Sequence, residues 1–107
     1  MAARTTEIIK EIVKKYYEIL IQSGLPVEKV FLFGSYARNE QNKYSDIDFA
    51  VVLKEYLGDR FNTRFVLMKY AREFAEIIEP HPFLLSEFDR TNPFVKEIIQ
   101  TGEVLYS

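Results

Sequence analysis

The chain has no cysteine in its 107 residues, so disulfides and thiolate metal sites are both excluded. Long apolar runs are missing as well. None approaches the roughly 18–20 residues that a membrane span requires. The opening stretch, MAARTTEIIKEIVKKYY, is interrupted by charge too often to supply the apolar centre of a signal peptide. There is also no block of like charge. Fourteen Lys and Arg against 16 Asp and Glu are spread along the chain and leave a net charge of −2. Without a basic tract to track a phosphate backbone, nucleic acid is a poor main partner. These absences lead us to expect a soluble cytoplasmic protein with no membrane contact.

What is present suits a small core. Hydrophobic residues make up 48% of the chain and aromatics 15%. A chain of this length buries roughly two-thirds of its unfolded surface. No repeat, low-complexity tract or linker interrupts it, so residues 1–107 read as a single domain.

The periodicity predicts alternating helices and strands. Residues 5–23 form an amphipathic helix with Ile8, Ile12, Tyr16, Ile19 and Leu20 inward, ended by Gly24 and Pro26. Residues 30–33, Val-Phe-Leu-Phe, are a short buried strand that stops at Gly34. Residues 36–40 begin a turn or short helix, and 39–45 are polar and loop-like. Residues 46–53 are a second strand. Alternation puts Asp46, Asp48, Ala50 and Val52 on one face and Ile47, Phe49, Val51 and Leu53 on the other. A helix follows over 60–77, with Phe61, Phe65, Met68, Ala71 and Ala75 as its inner stripe. A third strand covers 77–85, and Pro80 and Pro82 push it to a sheet edge. Asn92 and Pro93 start the last helix as N-cap and first residue, and Gly102 closes it as C′. The fold class is α/β (α+β), a small mixed sheet flanked by helices.

The chemistry concentrates in Gly34-Ser35, ten intervening residues, then Asp46-Ile47-Asp48. A glycine ending a buried strand lets an anion approach the backbone, and Ser35 adds a hydroxyl donor. A helix beginning just after it would turn free N–H groups toward a phosphate. Arg38, one turn on, could reach the same group. Asp46 and Asp48 share a strand face, roughly 7 Å apart at the backbone. Carboxylates held that close repel, and a divalent cation relieves the repulsion; hard oxygen donors favour Mg²⁺. Taken singly, each part has an ordinary reading: a turn, a solvated strand face, a surface arginine. The specificity lies in their conjunction. Elsewhere, His81 is the one histidine and reads as structural or surface; its functional reading is contact with substrate or with a metal ligand. Tyr36 and Tyr44 read as packing residues, and Phe61, Phe65 and Phe74 as core or interface.

The pattern Gly34-Ser35-x10-Asp46-x-Asp48, within FLFGSYARNEQNKYSDIDFAVV, resembles the signature of the DNA polymerase β-like nucleotidyltransferases. It is similar to their minimal, one-domain branch over most of the chain, including the closing NPFVKEIIQTGEVLY. The resemblance implies that Gly34, Ser35 and Arg38 bind the nucleotide phosphates. It implies that Asp46 and Asp48 hold Mg²⁺, two ions in all, with ATP as substrate. It also implies a third carboxylate on a later strand, both metal ligand and general base. Glu79 is the leading candidate and Glu76 the second, with Glu87 and Asp89 more distant. The family often places Asp there, so Glu before a proline is a departure. Members of this branch commonly pair with a HEPN-family toxin. The resemblance therefore implies an antitoxin that transfers AMP from ATP to a tyrosine of that partner. The alternatives are an antitoxin acting by contact alone and an enzyme with a small-molecule acceptor. A homodimer or hetero-oligomer is compatible with either antitoxin reading.

Overall fold

A computed structural model describes residues 6–34, 47–74 and 78–106. The expected roles of Ser35, Tyr36, Arg38, Tyr44, Asp46, Ala75 and Glu76, and of the loop at 39–45, lie outside the described residues. Four strands form one mixed sheet: β1 (Val27–Phe33), β2 (Ile47–Leu53), β3 (Ile78–Leu84) and β4 (Glu103–Tyr106). Their order is β3-β2-β1-β4. β1 runs antiparallel to β2 and β4, and β2 runs parallel to β3. A parallel pair needs a crossover, and helix α2 (Arg60–Phe74) supplies it. Helices α1 (Thr6–Gln22) and α3 (Pro93–Thr101) and a 3₁₀ turn at Leu85–Glu87 complete the described elements.

Alternation along β2 divides the core in two. Ile47, Phe49, Val51 and Leu53 pack with Ile9, Val13, Tyr16 and Leu20 of α1 and with Leu67 and Ala71 of α2. Ala50 and Val52 face the other way and pack with Phe31 and with Ile98 of α3. Tyr16 ties the first cluster together. Its ring meets Phe49 edge-on at 5.3 Å, and its hydroxyl donates to the Leu67 carbonyl at 2.6 Å. Burial pushes its phenol well above the ordinary range.

Both long helices are rotated from the expected stripes. In α1 the buried line is Ile9, Val13, Tyr16 and Leu20, and Ile8 is 46% exposed. The helix carries isoleucines on more than one stripe, and packing against the sheet selects one of them. In α2 the inner residues are Thr63, Leu67 and Ala71, while Phe61 and Phe65 are 83% and 65% exposed. Thr63 sets this rotation. Its hydroxyl donates to the Asp59 carbonyl at 2.7 Å and accepts from the Leu57 N–H at 2.8 Å. A buried hydroxyl satisfied in this way costs little, and it pins the start of the helix with position 63 inward. Phe61 and Phe65 are therefore not core residues.

β3 is an edge strand, as its prolines require. One side of an edge strand has no partner, so Pro80 and Pro82, of like parity, forfeit no ladder bond there. Asn92 caps α3 as expected, accepting from the Phe94 N–H at 2.9 Å, with Pro93 in the first turn. Gly102 ends the helix for a different reason from the one predicted. Its φ is −86°, outside the left-handed region. A Cβ there would lie 2.5 Å from the Ile98 carbonyl oxygen and 2.7 Å from that of Leu32. The constraint is space rather than backbone angle. β4, a strand too short to show alternation in sequence, follows and pairs with β1. No helix among the described residues is long and apolar enough to cross a membrane.

Candidate active site

β1 ends at Phe33, opposite Asp48 of β2. Gly34 then turns the chain with φ +77°, a conformation that costs most side chains strain but glycine little. A Cβ at this position would lie 2.8 Å from Asp48 Oδ2. The turn therefore lies directly against the carboxylate, on the same side of the sheet.

The parallel pairing of β2 and β3 sets Glu79 beside Asp48 and His81 beside Ala50. Strand alternation sends Asp48, Glu79 and His81 to the face that also carries Ala50 and Val52. His81 Nε2 and Asp48 Oδ1 share a hydrogen bond of 3.2 Å. The two side chains are 21% and 29% exposed, reachable but partly shielded. The His81 ring lies 5.3 Å from that of Phe33. Asp48, Glu79 and His81 each bring one ligand atom into a group within 4.8 Å of one another. Two carboxylates and an imidazole converging in this way form a donor set suited to a divalent cation. Beside the turn, a cleft of about 140 Å³ is lined by Phe33, Gly34, Phe94, Glu97, Ile98 and Thr101.

Of the residues singled out from sequence, the fold thus gathers Gly34, Asp48 and Glu79. Glu87 and Asp89 are not in this group. Glu87 belongs to the 3₁₀ turn. Asp89 is held by the backbone and hydroxyl of Thr91, whose hydrogen bonds keep its carboxyl below the usual range. Sequence reasoning noted His81 beside Glu79, with contact to substrate or to a metal ligand as its functional reading, but did not place it among the ligands themselves. The available signal was its spacing: two residues from Glu79 on a strand is the same face.

The family model for "Polymerase beta, Nucleotidyltransferase" matches residues 7–107. The chain belongs to this nucleotidyltransferase family. A curated relative of this nucleotidyltransferase is the Methanocaldococcus jannaschii protein named "Putative protein adenylyltransferase MJ0128". The two are 44% identical over 97 residues, 91% of this chain and 93% of the relative. Two solved structures share its fold. One is a toxin–antitoxin complex with AMP-PNP, a chain of which matches at TM-score 0.65 and 23% identity, covering 92% of this nucleotidyltransferase and 73% of that chain. The other is a tri-AMPylated Shewanella oneidensis HEPN toxin in complex with its MNT antitoxin, at TM-score 0.61 and 21% identity, covering 92% and 71%.

Proposed function

We propose that this nucleotidyltransferase transfers AMP from ATP to a tyrosine hydroxyl of a HEPN-type partner protein and acts as its antitoxin. The observation that carries this reading is the approach of the Gly34 turn to Asp48, with Glu79 beside it in register. A phosphate-receiving turn and a carboxylate pair on one side of one sheet are what nucleotidyl transfer needs. The solved relatives contribute the partner class and the nucleotide.

In the proposed reaction the acceptor oxygen attacks the α-phosphorus of ATP in line. The bond from that phosphorus to the pyrophosphate oxygen breaks, and pyrophosphate leaves. The acceptor proton passes to the Glu79 carboxylate as general base. Asp48 and Glu79, with Asp46, would hold two Mg²⁺ ions. Bound there, these ions supply charge stabilisation to the attacking and leaving oxygens. Gly34, Ser35 and Arg38 orient the phosphates, and Phe33 and Phe94 give the neighbouring cleft an apolar wall.

The test is intact mass of the HEPN partner after incubation with this protein, ATP and Mg²⁺. A gain of one AMP mass per modified tyrosine is expected, abolished by Asp46→Asn/Asp48→Asn. A partner that stays unmodified but is still neutralised by the double variant would replace catalysis with neutralisation by contact.

A further inference from the structure

The geometry points to His81 as a nitrogen ligand beside the carboxylates of the Asp48–Glu79 site, one that tilts the site's preference from Mg²⁺ toward a first-row transition ion such as Mn²⁺. The inference rests on the metal site proposed above and concerns which ion that site takes.

Three observations support it. The first is convergence. Adjacent ligands of an octahedral ion with bonds of about 2.1 Å lie roughly 3 Å apart. The distance from His81 Nε2 to Asp48 Oδ1 is 3.2 Å, and a Glu79 oxygen completes a set within 4.8 Å.

The second is stiffness. Ile78-Glu79-Pro80-His81-Pro82 places each of the two β3 donors directly before a proline. A residue before proline is confined to extended backbone, and each proline fixes its own φ. Edge strands ordinarily fray, but this one is held extended at both donor positions. Phe33 backs the imidazole at 5.3 Å, and the register neighbour of His81 is Ala50, whose methyl leaves room for a ring. Ring orientation of this kind is what tunes a histidine donor.

The third is donor chemistry. Mg²⁺ takes oxygen ligands and keeps much of its water. Adding imidazole nitrogen to the oxygen donors favours first-row transition ions over Mg²⁺, and Mn²⁺ is the one among them that still accepts a mostly oxygen site. A site that adds a histidine to its carboxylates therefore differs from one of carboxylates alone, although the fold around them is the same.

The test uses the full chain and Mn²⁺ as probe. Electron spin-echo envelope modulation of the Mn²⁺-loaded protein should show coupling to a directly bound ¹⁴N, absent in His81→Gln. Titration calorimetry should show Mn²⁺ affinity lowered about tenfold by His81→Gln, the scale on which tuning residues act. Mg²⁺ affinity should stay within about twofold, because Mg²⁺ draws little on nitrogen. His81→Asp should reverse the preference in favour of Mg²⁺. Bound Mn²⁺ without nitrogen coupling in the unmodified protein overturns the inference, and that result needs no variant to fold. So does an unchanged Mn²⁺ to Mg²⁺ ratio in His81→Gln. Asp48→Asn/Glu79→Gln separates the two levels of the argument. Undiminished Mn²⁺ binding by that variant overturns the metal site itself, whereas lost binding there beside an unchanged ratio in His81→Gln overturns only the role of His81.

Discussion

Gly34 and Asp48 stand so close that a single added methyl at position 34 would fall 2.8 Å from the Asp48 carboxylate oxygen Oδ2. The strand end and the strand start are thus fitted to each other through the absence of a side chain. Gly34→Ala meets two penalties. Its φ of +77° costs an L-residue roughly 1–2 kcal/mol, and the new Cβ must displace the carboxylate. We expect a measurable loss of stability in urea unfolding and a loss of AMP transfer larger than stability explains. Transfer at the unmodified rate in Gly34→Ala would show that the position of Asp48 against the turn does not matter.

Asp48 and Glu79 lie directly across from each other in register, an arrangement that is unfavourable for like charges. A structure retains such a pair for use rather than stability. Glu79→Gln should therefore leave the thermal midpoint unchanged or raise it slightly. As the proposed general base, its loss should lower the AMP-transfer rate about 10²–10⁴-fold. Differential scanning calorimetry and a rate assay on the same preparation check both parts. A large drop in midpoint would recast Glu79 as a structural residue.

Tyr16 is fully buried with its hydroxyl on the Leu67 carbonyl. Removing that bond in Tyr16→Phe should cost about 1 kcal/mol at neutral pH. The pH dependence has a definite sign. The folded phenol has a raised pKa, so it stays protonated where the unfolded one ionises. Its contribution is complete below about pH 10 and is lost as pH rises further, by about 1.4 kcal/mol per unit. Unfolding measured from pH 8 to 11 should fall less steeply in Tyr16→Phe. Parallel curves for the two proteins would refute the assignment.

The two phenylalanines Phe49 and Phe61 make a paired test of the helix rotation. Phe49 is 0% exposed and Phe61 83%. Phe49→Ala should cost about 3–5 kcal/mol, and Phe61→Ala should fall within about 0.5 kcal/mol of neutral. Comparable losses in both would return Phe61 to the core, where its spacing first suggested it belonged.

Some of this was legible in the residues because it depends on neighbours along the chain. The two faces of β2, the start of α3 at Asn92-Pro93 and the edge position of β3 follow from strand parity, capping and the missing N–H of proline. The sharing of one face by Asp48 and its even-numbered neighbours follows in the same way. Which stripe of α1 or α2 turns inward did not, because both helices offer more than one apolar line. The choice rests on contacts far apart in sequence, such as Tyr16 with Leu67 and Phe49.

The amino-acid sequence by itself determined the pattern of elements, β4 excepted, and the two kinds of group that nucleotidyl transfer requires. Those are local matters of periodicity, stereochemistry and donor type. Tertiary structure alone decided that Glu79 stands beside Asp48, that His81 reaches the same carboxylate, and that Gly34 closes against it. These contacts join residues 14 to 33 positions apart, and their distances are set by the register of β1 and β3 on β2, which no single stretch of chain encodes.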